Sequence, residues 1–131
     1  MLAHVRDGYP HEACGALIGR GSDVKKVAPL PNRETEKPRV RYAIDPRDLV
    51  DLDREARGLG LEIVGYFHSH PDHPARPSET DRQRAADSLS DGVFHIVVGI
   101  EAGVRTTPTA WVFREATGAF ESEPFDVIEQ A

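Results

Sequence analysis

This chain of 131 residues has one cysteine, one tryptophan and one methionine, and it lacks a long hydrophobic run. A single cysteine excludes an internal disulfide, so the composition suits a reducing cytosol. No apolar run approaches the roughly 20 residues that span a membrane, and the first residues lack the apolar core of a secretion signal. A chain of this length is expected to form one domain without disulfide support.

The sequence also lacks an excess of basic residues. It has 16 Lys and Arg against 22 Asp and Glu, which gives a formal net charge of −6. A protein that binds nucleic acid gains affinity by releasing counterions from phosphates, and this requires a basic surface. The composition therefore argues against a nucleic-acid partner, and it leaves the oligomeric state open, a homodimer included.

Predicted strands and helices alternate along the chain. Asp45 and Pro46 suit the N-cap and the first position of a helix whose apolar residues recur at helical spacing. Because apolar runs between turn residues predict strands, we predict one domain with an α/β or α+β fold and a mixed sheet. Strands are predicted over 12–20, 25–30, 40–44, 61–67, 93–100, 110–114 and 120–127, and helices over 1–7, 45–60 and 78–89.

The most informative segment follows the strand predicted over 61–67. From His68 to Asp81 it reads His-Ser-His-Pro-Asp-His-Pro-Ala-Arg-Pro-Ser-Glu-Thr-Asp. Residues i and i+2 of a strand point to the same face, so His68 and His70 can approach one ion. With Asp81 as a third ligand, a tetrahedral zinc ion keeps one open position, which is typical of catalytic sites. One cysteine in the chain excludes a closed, Cys-rich structural site.

Several of these residues also have a structural interpretation. Ser78 and Asp81 fit a capping box at the start of a helix, whereas the Ser78 hydroxyl could instead donate to an oxyanion. Glu12 is the best candidate for a base on the metal-bound water, because burying a carboxylate is costly without a partner or a function. An exposed Glu12 at the start of its strand is an equal alternative, and Glu62 and Glu79 are rival bases.

The pattern His-x-His-Pro, five residues, Pro-Ser, two residues, Asp resembles the signature of the JAMM (MPN+) zinc metallopeptidases. Glu12 in His-Glu-Ala-Cys-Gly resembles the segment around that family's catalytic glutamate. The resemblance extends over nearly the whole chain and implies a deaminase-like mixed sheet flanked by helices. It further implies that His68, His70 and Asp81 bind one Zn²⁺, that Glu12 is the general acid and base, and that Ser78 helps to hold the oxyanion.

The same resemblance implies a substrate class. Family members hydrolyse peptide or isopeptide bonds, often after the C-terminal Gly-Gly of ubiquitin or a ubiquitin-like protein. Short prokaryotic members, which this chain resembles most, act on ubiquitin-like sulfur carriers, either releasing an amino acid such as cysteine or removing the carrier from lysines. We expect the stretches 31–41 and 71–76 to form the walls of the cleft. Four arginines there could meet an acidic carrier, although solvated side chains are the alternative: Arg33, Arg39, Arg41 and Arg76.

Two further observations qualify the resemblance. Family members usually place a strand and a helix before the glutamate segment, whereas only the helical stretch 1–7 precedes it here. The main alternative function is a non-catalytic interaction domain of the same fold, although such relatives typically lose the metal ligands that this chain keeps. A zinc deaminase would need a Pro-Cys-x-x-Cys segment, which one cysteine cannot supply. Cys14 is instead expected to be a small buried hydrophobic residue, and His73 either orients a substrate or is solvated.

Overall fold

The computed structural model describes residues 1–39, 41–87 and 92–125. These residues form a six-stranded mixed sheet in the order β2-β1-β3-β4-β5-β6, in which β3 and β4 run parallel and the other neighbouring pairs are antiparallel. The helices are α1 (Leu2–Gly8), α2 (Pro46–Gly58) and α3 (Glu79–Asp87), and the strands are β1 (Cys14–Arg20), β2 (Asp23–Leu30), β3 (Glu62–Pro71), β4 (Phe94–Glu101), β5 (Arg105–Arg114) and β6 (Ala119–Glu123). The predicted α+β fold with a mixed sheet is confirmed.

Helices α1 and α2 cover opposite faces of the sheet. Alternate residues of a strand point to opposite faces, and in β1 Leu17 packs with Val5 of α1, whereas Ile18 packs with Leu52 and Ala56 of α2. This two-sided burial explains why β1 is a continuous apolar run rather than an alternating one. None of the helices within the described residues is long and apolar enough to cross a membrane.

The predicted start of α2 is confirmed in detail. Asp45 is the N-cap, its Oδ1 accepts the backbone N–H of Arg47 at 2.9 Å, and Pro46 is the first helical residue. Beyond the helix, Gly60 adopts a φ of +73°, a conformation that favours glycine. Local sequence signals therefore suffice to define both ends of this helix.

Two predicted strands differ from the structure near the site. Strand β3 continues to Pro71 rather than ending at residue 67, because it stays paired in parallel with β4 through both histidines of the His-Ser-His segment. The strand predicted over 40–44 is absent over 41–44, and residue 40 lies outside the described residues. In this segment the side chain of Asn32 donates to the carbonyl of Arg41 at 3.1 Å and accepts from the N–H of Ala43 at 3.0 Å. These are backbone groups that a neighbouring strand would bind if the segment were part of a sheet.

Other boundaries shift by a few residues. Strand β1 begins at Cys14, so Glu12 lies in the segment before it. Strand β5 begins five residues earlier than predicted, at Arg105. The predicted ends of the last helix and the last strand, at residues 89 and 127, lie outside the described residues.

Candidate metal centre

Strand β3 and the first turn of α3 bring three potential metal ligands together. The Nε2 atoms of His68 and His70 lie 3.0 Å apart, and Oδ2 of Asp81 lies 3.1 Å from the first and 3.2 Å from the second. Zinc ligands at about 2.0–2.1 Å in a tetrahedron lie roughly 3.3 Å from one another. The triangle therefore has the size and the donor atoms of one face of a zinc site.

Asp81 also caps the helix that carries it. Its Oδ2 accepts the backbone N–H of Ser78 at 2.8 Å, and its own N–H donates to Oγ of Ser78 at 3.1 Å, which is the reciprocal pattern of a capping box. Oγ of Ser78 is the acceptor in this contact, so its hydroxyl hydrogen is left for another acceptor. The capping contact therefore uses a lone pair of the Ser78 oxygen, and the hydroxyl hydrogen can still donate to another acceptor.

The two imidazoles are oriented by different contacts. Nδ1 of His70 lies 2.9 Å from the carbonyl oxygen of Pro74, so a proton on Nδ1 leaves the Nε2 lone pair facing the triangle. Nδ1 of His68 is buried and has no hydrogen-bond partner within the described part of the chain. The ring of Tyr42 stacks on His68 instead, with centroids 4.6 Å apart and an interplanar angle of 23°.

Glu12 lies beside the triangle and is 5% exposed, so the alternative of an exposed Glu12 is wrong. A carboxylate oxygen of Glu12 and ring nitrogens of His68 and His70 all lie within 4.8 Å of one another. These three side chains could hold a metal ion, and Oδ2 of Asp81 contacts the same two ring nitrogens, so four potential ligands meet at one place. The rival Glu62 is exposed at the start of β3, and Glu79 pairs on the surface with Arg82.

Burial and charge set the protonation of the site. Burial raises the pKa of Glu12 to about 8, partly offset by His70. Burial also opposes ionisation of Asp81, but the contacts with His68 and His70 outweigh it and hold the pKa of Asp81 well below its usual range. Oε1 of Glu12 is buried without a hydrogen-bond partner among the described residues. An unpaired carboxylate oxygen beside three ligand atoms fits a bound cation and its water, because an unpaired buried polar atom is otherwise costly.

Two polar side chains that the sequence analysis did not single out hold Glu12 in place. Ser69 lies between the two histidines and points to the other face, where its Oγ accepts the N–H of Ala13 at 2.8 Å and its N–H donates to the Ala13 carbonyl at 2.9 Å. Asn32 donates from Nδ2 to the Glu12 carbonyl at 2.9 Å. A buried serine in an apolar strand needs a hydrogen-bond partner. The position of Ser69 in such a strand was therefore the one sequence feature that could have indicated its supporting role.

The loop between β3 and α3 is fixed at both ends. Asp72 accepts hydrogen bonds from the Tyr9 hydroxyl at 2.6 Å and from the N–H of Ala102 at 2.8 Å. The Ala75 carbonyl accepts one from Oγ1 of Thr109 at 2.6 Å. Gly99 lies beside His70 in the parallel pair, and a Cβ there would meet Cβ of Ala75 at 3.1 Å. The absent side chain lets the loop lie close to β4, which places the Pro74 carbonyl at His70.

The remaining candidates lie as follows. Cys14 is buried, its Sγ lies 3.7 Å from the Leu30 carbonyl oxygen, and burial raises its pKa to about 12, so it is the small buried residue expected. His73 is exposed in the loop. Of the arginines expected near the cleft, Arg41 is half-buried and three are exposed: Arg33, Arg39 and Arg76. Arg33 pairs with Asp48 at 3.3 Å.

The chain is similar to known proteins over most of its length. A desampylase from Haloferax volcanii is 35% identical over 131 residues, which cover 92% of this chain and 89% of the relative. A CysO-cysteine peptidase from Mycobacterium tuberculosis is 28% identical over 130 residues, covering 99% and 86%. A solution structure of a protein from Desulfitobacterium hafniense has a TM-score of 0.83 at 30% identity and covers 99% of this chain and 87% of that chain.

The six-stranded mixed sheet has the fold of JAB/MPN proteins. A family model of the prokaryotic homologues of the JAB domain matches residues 1–114, and the chain belongs to this family. The resemblance that the motif indicated is therefore confirmed.

Proposed function

We propose that this protein is a zinc-dependent peptidase that hydrolyses the bond after the C-terminal Gly-Gly of a ubiquitin-like or sulfur-carrier protein. The reaction either deconjugates the carrier or releases an amino acid such as cysteine from it. The observation that carries the proposal is the ligand triangle with a buried glutamate beside it. The relatives named desampylase and CysO-cysteine peptidase support the substrate class. The single cysteine suits a cytoplasmic location, which we include in the proposal.

Each residue has a defined role in this proposal. His68 and His70 would hold a zinc ion through Nε2, and Asp81 would hold it through Oδ2. A zinc ion bound there would supply Lewis acidity and would lower the pKa of a water molecule bound to it towards about 7. A bound cation would lower the pKa of Glu12 and leave it as a carboxylate. Glu12 would then accept a proton as water attacks the scissile carbonyl and give that proton to the leaving amine. Ser78 donates its hydroxyl hydrogen to the oxyanion, a contact typically worth about 3 kcal/mol.

The segments around the site suit a tail without side chains. The stretch 31–41 is tied to Glu12, because the Glu12 N–H donates to the Pro38 carbonyl at 2.6 Å and Asn32 binds the Glu12 carbonyl. The stretch 71–76 is tied to His70 through Pro74. Each stretch is therefore joined to a residue of the site, and the proposal places an extended Gly-Gly segment between them.

The test compares the wild-type protein with Glu12→Gln. We expect the wild type to bind one zinc ion per chain and to cleave a ubiquitin-like carrier fusion with residues after Gly-Gly. Glu12→Gln should keep the zinc and lose about 10²-fold or more in kcat, because a general base typically contributes that much. Zinc content by elemental analysis and cleavage by mass spectrometry measure the two properties.

The exposed Glu62→Gln is the matched control and should behave as wild type. Full activity in Glu12→Gln would overturn the assignment of the base. A wild-type protein that binds no zinc, even after zinc is added back, would remove the enzyme proposal and favour a non-catalytic interaction domain.

A further inference from the structure

We propose that Tyr42 is a positioning residue that fixes the ring plane of His68 for metal binding. This inference rests on the proposed metal site and concerns a residue that neither ligates nor caps. A metal-binding histidine almost always donates its second ring N–H to an acceptor, which sets the orientation of the ring. His70 does so through Pro74, whereas Nδ1 of the buried His68 has no such partner within the described residues. Something else must stop rotation of the His68 ring.

The stacked ring of Tyr42 is suited to that role. Its centroid lies 4.6 Å from that of His68, and the planes are nearly parallel at 23°. By comparison, the planes of the His68 and His70 rings are inclined at 58° to each other, so these two rings do not stack. Rotation of the His68 ring would drive its edge into the face of Tyr42, and the stack therefore restricts the direction of the Nε2 lone pair.

Tyr42 is itself held although its segment is not a strand. The side chain of Asn32 binds both of its neighbours, donating to the Arg41 carbonyl and accepting from the Ala43 N–H. Arg84 of α3 donates to the Tyr42 carbonyl, and its guanidinium carbon lies 5.9 Å from the centroid of the Tyr42 ring. The backbone and the ring of Tyr42 are thus fixed from two directions.

Helix α3 connects this support to the ligand triangle. Asp81 and Arg84 lie three residues apart and therefore on one face of the helix. Asp81 contacts His68 directly, and Arg84 contacts it through Tyr42. Residues on one face of α3 thus position the His68 ring in two ways: Asp81 contacts the edge of the ring, and Arg84 holds Tyr42 against its face.

The experiment measures metal affinity rather than cleavage. Zn²⁺ affinity is determined by competition with a chelating dye, and the visible absorption of the Co²⁺-loaded protein reports the geometry of the ligands. We expect Tyr42→Leu to weaken Zn²⁺ binding about tenfold or more, as loss of a supporting contact typically does, and to alter the Co²⁺ spectrum. Tyr42→Phe keeps the ring and should match the wild type.

Tyr66→Leu is the matched control, because Tyr66 is a half-buried tyrosine beside His95, a histidine outside the site. It should leave affinity and spectrum unchanged. Circular dichroism of the metal-free proteins checks folding, and Tyr42→Met, which also lacks a ring, replaces Tyr42→Leu if that variant does not fold. Wild-type affinity in the ring-free variant, or equal loss in Tyr42→Phe, would overturn the inference. A wild-type protein without metal affinity would instead overturn the proposed function.

Discussion

At the scale of single residues, His95 shows what burial does to a histidine that lies outside the candidate metal site. It lies on β4, and its Nε2 has no hydrogen-bond partner among the described residues. The ring of Phe120 packs against it edge to face at 5.1 Å, and Tyr66 lies at 6.2 Å. Burial among these rings lowers the pKa of His95 to about 4. The imidazole is therefore neutral at pH 7 and acts as an apolar ring.

This environment predicts a contribution to stability that depends on pH. Between pH 4 and 6.5 the unfolded chain binds a proton at His95 that the folded chain excludes, so the free energy of unfolding falls as the pH falls. The slope from one such residue is up to about 1.4 kcal/mol per pH unit. We expect His95→Phe to lose less stability than the wild type between pH 7 and pH 5 in urea unfolding. The same loss in both proteins would contradict this account.

Among the elements, the loop between β3 and α3 depends on a glycine in the neighbouring strand. Gly99→Ala would push Ala75, whose carbonyl is held by Thr109, and would shift the adjacent Pro74 carbonyl away from His70. We expect zinc affinity to fall about tenfold, because the second ring nitrogen of His70 loses its acceptor. Competition with a chelating dye measures the change.

Gly58→Ala is the control for this substitution, since nothing lies within 4 Å of a Cβ at that helix end. Its affinity should equal that of the wild type. If Gly99→Ala also binds zinc like the wild type, the loop is not held in the way described.

The elements also show what the sequence could predict. The cap of α2 depends on Asp45 and Pro46, which are adjacent, and it was predicted correctly. The extension of β3 through His68 and His70 depends on pairing with β4, and polar residues gave no local signal for a strand. The contacts made by Asn32 and Ser69 join positions 9 to 56 residues apart, so spacing along the chain could not reveal them. The motif predicted the histidines and acids that the fold brings together, but it did not predict Asn32 and Ser69, which hold Glu12 in place.

For the whole molecule, the site joins helix α3 to strand β3 and to the segment that carries Tyr42. Helix α3 has one buried residue among those described, Ala85. Its position on the sheet depends in part on Asp81, which contacts both histidines of β3, on Arg84, which contacts Tyr42, and on Arg82, which donates to the Gly118 carbonyl. A metal ion that binds the folded chain but not the unfolded chain would strengthen the attachment of α3 to the sheet and stabilise the entire domain.

Removing the metal should therefore lower stability. We expect chelation to reduce the Tm and added zinc to restore it, with a gain of about 2.7 kcal/mol at a free zinc concentration of 100 times the Kd. Differential scanning calorimetry measures the shift. Asp81→Asn, which removes a charged ligand, should respond much less to zinc. An equal response in both proteins would place the stabilising ion elsewhere.

The capping box at the start of α3 gives Ser78 and Asp81 a structural role as well as a place in the site. One oxygen of Asp81 accepts the Ser78 N–H and also faces both histidines, so two independent needs act on the same carboxylate. A homologue without the proposed activity would still gain stability from this acid, because the helix would still need its cap. Retention of the serine and the aspartate is thus weak evidence of activity in a distant homologue, whereas the paired histidines and the buried glutamate are the diagnostic positions.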